Sequence, residues 1–385
     1  MCTLPVCSVH ILLAMLLQNN VIIAGGGLAG LIAAIHLSKA GVKVTLFEKH
    51  PFPQHKVCGE YISNEVLPYL QSLGADPSVL HPNSIYKFQF STSSGKSMEA
   101  KLPLGGFGLS RYAFDNFLMK KAISEGCEII QDTVLTIDFI DHEFLVTTGA
   151  NGILKAPLVL GAYGKRTALD HQLQRHFMNQ ASPWLAVKAH YTGEFDEHLV
   201  ALHHFKGGYC GVSKVENDLI NICYLCDYAT FKKYRNLNEF QQQVLYQNEH
   251  LQTLFESSKI VFEQPLTIAQ LNFQKKEVVK NHVLMIGDTA GLIHPLCGNG
   301  MSMAIHSAKL SAEQVLLFLK GNTRASMESQ YKQLWQFHFK QRLQMGHILS
   351  GLLRKEKLAT IMTSTLANFP FILPQLIKKT HGHYF

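Results

Sequence analysis

Residues 21–30 read Val21-Ile22-Ile23-Ala24-Gly25-Gly26-Gly27-Leu28-Ala29-Gly30, a short apolar run that ends in a glycine-rich turn. Leu31, Ala34, Ile35 and Leu37 then recur at helical period, Gly41 stops that helix, and Val42-Lys43-Val44-Thr45-Leu46-Phe47 alternates like a second strand. Glu48 closes it, and Lys49 follows. Strand, glycine turn, helix, strand and terminal acid make a complete βαβ unit. In Gly25-x-Gly27-x-x-Gly30 the first glycine permits the tight turn, the second lets the backbone approach a pyrophosphate, and the third lets helix and strand pack closely. Leu28 and Ala29 open the helix, whose unpaired N–H groups and positive dipole end face the phosphates. Glu48 is placed to accept hydrogen bonds from both ribose hydroxyls of an adenosine. The unit predicts dinucleotide binding, and its acid favours FAD or NAD over NADP, whose 2′-phosphate it would repel.

Outward from this unit, 385 residues with 47% hydrophobic and 16% charged leave room for more than one core. Alternating segments from about Ser84 to Leu104 and from about Trp184 to Leu225 suggest antiparallel sheet and interrupt the α/β pattern. Helical sequence follows Ser110, α/β character returns near Val283, and helices run from about Gly300 onward. The expected domains are therefore an N-terminal extension (1–18), a discontinuous nucleotide-binding domain (19–83, 105–180 and 266–330), a sheet domain (84–104 and 181–265) and a helical C-terminal region (331–385). Residues 1–18 lack the positive n-region and small-residue cleavage site of a secretory leader, and are expected to be a dispensable extension or a misplaced start. The eight cysteines are scattered, which points to a reducing, cytoplasmic setting. No zinc spacing accompanies the 20 histidines, and no metal is expected. Cys223-x-x-Cys226 lies on a strand, where i and i+3 face opposite sides, so it is not read as a ligand pair.

The net charge of +7 resides in the tail: residues 331–385 carry eight basic side chains and one acidic. Leu334, Trp335, Phe339 and Leu343 recur there at helical spacing. Two readings follow, a helix on an anionic membrane surface and a helix packed on its own domain with a solvated basic face. No basic-aromatic module marks a nucleic-acid partner.

Val283-Leu284-Met285-Ile286-Gly287-Asp288-Thr289-Ala290-Gly291, followed by His294-Pro295-Leu296-Cys297-Gly298-Asn299-Gly300-Met301, resembles the GD-x-A-G…P…G-x-G-M segment of flavoproteins built like p-hydroxybenzoate hydroxylase. The resemblance implies FAD, with Asp288 on the ribityl chain and Pro295, Gly298, Asn299, Gly300 and Met301 at the flavin pyrimidine edge. A helix N-terminus there would stabilise the negative charge of reduced flavin. Arg111-Tyr112-Ala113-Phe114-Asp115 is similar to the same superfamily's R-x-x-F-D helix, which places Arg111 near the cofactor. Gly161-Ala162-Tyr163-Gly164-Lys165-Arg166 is similar to its G-A-D-G segment and brings Gly164 to the site, with Tyr163 where the family has an acid; that acid's role does not transfer. The implied fold is α/β (α+β): a Rossmann-like FAD-binding domain of the p-hydroxybenzoate hydroxylase type, an inserted antiparallel β-sheet substrate domain and a helical C-terminal tail.

Lys56-Val57-Cys58-Gly59-Glu60 is similar to the K-x-C-G-E/G segment of the geranylgeranyl reductase family, which implies that Lys56, Cys58 and Gly59 pass close to the flavin. Flavin halogenases share the fold, but their W-x-W-x-I-P signature is missing, with Phe205–Gly211 the nearest stretch. There is no second Gly-x-Gly-x-x-Gly, so NAD(P)H or another external electron donor is expected to act transiently. Cys58 is a candidate catalytic thiol or a small buried residue beside a turn. Tyr209 is a candidate proton donor, as is His204, with cross-strand packing the stronger reading of both. The reading that follows is reduction of C=C bonds in a hydrophobic isoprenoid, polyketide or lipid-like substrate, in the cytoplasm or at the inner face of the membrane. The alternatives are a monooxygenase acting on an aromatic or polyketide substrate and a non-catalytic, membrane-associated flavin binder; fold does not separate them.

Overall fold

The structure, a computed structural model, describes residues 20–180, 182–354, 358, 365, 377 and 382–385. The expected N-terminal extension and most of the tail beyond residue 354 lie outside the described residues.

Eighteen strands can be numbered along the described chain: β1 (Asn20–Ala24), β2 (Lys43–Glu48), β3 (Tyr61–Ser63), β4 (Asn83–Ser91), β5 (Ser97–Gly108), β6 (Glu128–Gln131), β7 (Val134–Ile140), β8 (Glu143–Thr148), β9 (Ile153–Ala156), β10 (Leu158–Gly161), β11 (Trp184–Thr192), β12 (Leu199–Phe205), β13 (Gly208–Lys214), β14 (Ile220–Asp227), β15 (Lys259–Ile260), β16 (Leu266–Ala269), β17 (Val279–Lys280) and β18 (Val283–Met285). The helices are α1 (Leu28–Lys39), α2 (Leu67–Ser72), α3 (Arg111–Ser124), α4 (Ala168–Gln172), α5 (Tyr228–Phe231), α6 (Leu237–Gln243), α7 (Glu249–Ser257), α8 (Gly300–Leu319) and α9 (Arg324–Arg354).

The first sheet has the order β17-β18-β10-β1-β2-β6 and is parallel except for β17. Its central strands β1, β10 and β18 are almost wholly apolar because both faces are covered, as in β1, where Val21, Ile22 and Ile23 are fully buried, while the edge strand β6 carries Glu128 and Gln131. Register sets the site: Ala24 pairs with Phe47 on one side and Gly161 on the other, and Gly161 pairs with Met285. The loops after β1, β2, β10 and β18 therefore open along one sheet edge. Chain order reverses between β1 and β10, the switch point at which ligands bind such sheets.

The second sheet runs β15-β11-β14-β13-β12-β4-β5-β3, with β16 also on β11. It extends past the expected 84–104 and 181–265, taking in β3 and β16, which are too short to show alternation. Every pair in it is antiparallel except β4 with β12, two strands that come from separate stretches of the chain. A small sheet, β7-β8-β9, completes the body.

In α9, Met327, Tyr331, Trp335 and Phe339 are buried at four-residue steps, and the Tyr331 hydroxyl donates to the Met285 carbonyl at 2.6 Å. The described part of the tail thus turns its apolar stripe onto its own domain, with Lys332 and Lys340 outward. No helix among the described residues is long and apolar enough to cross a membrane.

Candidate functional site

The loops on the sheet edge open into one trough of about 1180 Å³ that continues between the two large sheets. Gly25 and Asp288 both line it. So do Gly27, Leu28, Ala29, Glu48, Lys49, Lys56, Cys58, Gly59, Arg111, Gly164, Pro295, Gly298, Asn299, Gly300 and Met301. Gly30 lies behind the wall, where a Cβ would stand 2.0 Å from the Gly25 carbonyl oxygen. Gly25 has φ +113°, and its Cβ would stand 2.4 Å from the Ala162 oxygen. Gly27 differs: a Cβ there has open space, with Arg111 Nη2 nearest at 4.0 Å.

This end of the trough suits an anionic dinucleotide. α1 has no side-chain cap and no acid in its first turn, leaving its N–H groups to a ligand. Glu48 is oriented by the amides of Gly26 (2.9 Å) and His50 (3.1 Å). Arg111 and Lys56 both sit on Asp115, a fully buried carboxylate: Arg111 forms a fork with both bonds at 2.7 Å, and Lys56 approaches at 3.1 Å. Burial opposes charge on Asp115, but Arg111 and then Lys56 overcome it and hold its carboxyl below the usual range. Asp115 stands four residues after Arg111 in the quoted motif, and its role as anchor for two cations was not legible there.

At the other end, α8 also starts without a side-chain cap or an acid in its first turn. Cys58 Sγ lies 3.4 Å from Met301 Sδ. Behind Cys58, the buried Glu60 carboxylate meets Lys188 Nζ at 2.6 Å, His190 Nε2 at 2.7 Å and the Arg111 amide at 2.8 Å. Lys188 is fully buried on β11. Desolvation would raise the Glu60 pKa, yet Lys188 and the hydrogen bond from His190 hold it below its ordinary value. Glu60 has φ +55°, and Asn221 Nδ2 donates to the Gly59 carbonyl at 2.8 Å, so the sheet domain grips the segment from behind. Nothing in the sequence singled out Lys188, His190 or Asn221.

Tyr209 lines the trough, and burial pushes its hydroxyl well above the ordinary value. His204, its partner across β12 and β13, is buried but absent from the trough lining. Tyr163 turns its hydroxyl to Met285 Sδ at 3.4 Å. Cys223 lines the trough while Cys226 packs in the separate core beneath the sheet. Among the described residues no group of three His, Cys, Asp or Glu side chains is placed to hold a metal ion.

The chain is 24% identical to a 1H-pyrrole-2-carbonyl-(peptidyl-carrier protein) chlorinase of Pseudomonas fluorescens, over 79% of this chain and 77% of that protein. It is equally 24% identical to digeranylgeranylglycerophospholipid reductase 1 of Methanothermobacter thermautotrophicus, over 92% of this chain and 90% of that protein. Its fold matches that of a flavin-dependent brominase with a TM-score of 0.77 at 17% identity, covering 94% and 93% of the two chains. Halogenases and reductases are thus similar to it in like measure, and what they share is the flavin-binding body. The FAD binding domain family matches residues 18–343, most of the chain, and this protein belongs to that family as an FAD-dependent oxidoreductase.

Proposed function

We propose that the protein reduces C=C bonds of a hydrophobic isoprenoid, polyketide or lipid-like substrate, as a geranylgeranyl reductase-like enzyme. The observation that carries this reading is the far arm of the trough. Past Pro295 and Leu296 it runs over the inner face of the sheet domain, lined by Phe88, Phe90, Leu102, Val200 and Leu202. Such a wall suits a chain that has no polar groups to satisfy.

When bound, reduced FAD supplies the hydride. The apolar arm orients the alkene and excludes water. α1 and the Arg111–Lys56–Asp115 group hold the phosphates, and α8 offers its N–H groups where charge develops. Tyr209, kept protonated by burial, and Cys58 are the proton donors of this reading, through the phenol oxygen or Sγ. NAD(P)H or another external donor restores the cofactor. The basic residues of 331–385 favour an anionic membrane surface, where such substrates reside; sedimentation with anionic but not neutral liposomes checks this.

The test is anaerobic photoreduction of the holoenzyme followed by a polyprenyl alkene. Reoxidation of the flavin with a saturated product supports the proposal. An oxygen-dependent hydroxylated or halogenated product, or no reoxidation by any alkene, overturns it.

A further inference from the structure

Lys276 lies in the segment between β16 and β17, which carries no recognisable motif. Its side chain is buried. The ammonium donates to two backbone carbonyls from different parts of the chain, Lys165 at 2.6 Å and Asp288 at 2.8 Å, and stands 4.4 Å from the centre of the Phe177 ring. Lys165 follows Gly164 in the loop after β10, and Asp288 follows Gly287 in the loop after β18. Both loops form trough wall. Because a trans peptide is planar, a carbonyl held on Lys276 directs the next amide N–H to the opposite side. A second tie joins the same loops: the Gly164 amide donates to Thr289 Oγ1 at 2.8 Å, and that hydroxyl donates back to the Gly164 carbonyl at 3.2 Å.

Burying an ammonium is costly unless its donors are satisfied. Here they are satisfied by the two loops that the cofactor needs side by side.

We infer that Lys276 is a positioning residue for FAD: it locks the loop carrying Gly164 to the loop carrying Asp288 and places a fixed positive charge behind that wall. The inference needs only the cofactor and is independent of the substrate.

The charged groups around it are Asp170 and Arg175, paired at 2.9 Å at α4 and the turn after it, together with Asp288, Lys165 and the adjacent Glu277, which reaches Arg175 at 3.6 Å. Burial lowers the Lys276 pKa to about 8, against the pull of Asp170 and Asp288. The charge therefore falls away as pH rises through about 8, and so does its help to an anionic ligand.

The experiment is a fluorescence titration of apoprotein with FAD from pH 7 to pH 9.5, with folding followed by circular dichroism. Wild type should lose affinity as pH rises, by at least about tenfold. Lys276→Met should bind at least about tenfold more weakly at pH 7 and show little further change with pH. Thr289→Val, which cuts the other tie and leaves the charge, should keep the wild-type pH profile. A Lys276→Met protein that binds within twofold of wild type at pH 7, or is weakened but keeps the wild-type slope, overturns the inference. So does a wild type whose affinity is flat across the range, a result that needs no variant to fold. A wild type that binds no FAD at any pH overturns the cofactor assignment as well, which keeps the two failures apart.

Discussion

Gly27→Glu separates what the glycine turn does for the ligand from what it does for the fold. Gly27 has φ −77° and ψ 179°, extended backbone open to any residue. A Cβ there meets only Arg111 Nη2, at 4.0 Å. An acid at a helix N-cap also opposes the helix dipole favourably. Folding should therefore be nearly unchanged, with the apoprotein melting within a few degrees of wild-type apoprotein; bound FAD would itself raise the melt. The ligand meets a different surface. A carboxylate within about 5 Å of a phosphate charge, at an effective dielectric of about 20, repels it by about 3 kcal/mol, or roughly 150-fold in Kd. The same carboxylate reaches Arg111 and withdraws the cation that would have served the phosphates. Gly30→Ala is the converse: its Cβ would sit 2.0 Å from the Gly25 carbonyl, so the turn must move and the protein should fail to fold. The assay is the visible flavin band of each purified variant beside its thermal melt. A yellow Gly27→Glu protein with FAD affinity within threefold of wild type would refute the reasoning, as would a Gly27→Glu apoprotein that melts far below wild-type apoprotein.

Three further outcomes are expected. Glu60→Gln should cost about 3–5 kcal/mol in urea denaturation, because it leaves Lys188 buried without its carboxylate; adding Lys188→Met should recover most of the loss, and a single variant as stable as wild type would deny the pair its role. Since the folded Glu60 pKa is depressed, its contribution is present above the ordinary carboxylate range and is lost as pH falls through the folded value, a limb that Glu60→Gln should lack. Burial lowers His203, His294 and His306 each to about 3. The unfolded chain then takes up protons that the fold refuses, so stability is full above about pH 6.5 and falls toward pH 3, by about 2 kcal/mol per histidine at pH 5. Burial lowers His55 as well, to about 4, and His36 and His338 in the same direction; denaturation at pH 7.5 and 5 reads their sum, and His294→Phe should remove about 2 kcal/mol of it. Finally, Leu202→Trp should fill the apolar arm and shorten the longest substrate chain accepted while FAD affinity stays constant; unaltered chain-length preference would remove that arm from the substrate site.

What could be read without a structure was local. β1, the turn and α1 occupy Asn20 to Lys39, and their evidence lies in neighbouring residues: an apolar run, glycines where backbone must approach backbone, then a 3.6-residue period. The α8 start at Gly300, after Gly298-Asn299, was legible for the same reason, as was the stripe of α9. The sequence also held both glycine-bearing segments of the trough, but their meeting depends on the register of β1, β10 and β18, which no window of residues displays.

The polar groups that shape the trough were of another kind. Glu60 meets Lys188 and His190 across 128 and 130 residues, and Lys56 meets Asp115 across 59. Lys276 showed no signal at all. Along a chain, a lysine or a glutamate reads as solvent-facing, because an isolated charge is costly to bury. Only the packed interior, by excluding water from both partners at once, makes one distant carboxylate the favourable place for that charge, and that exclusion is a property of the tertiary structure alone.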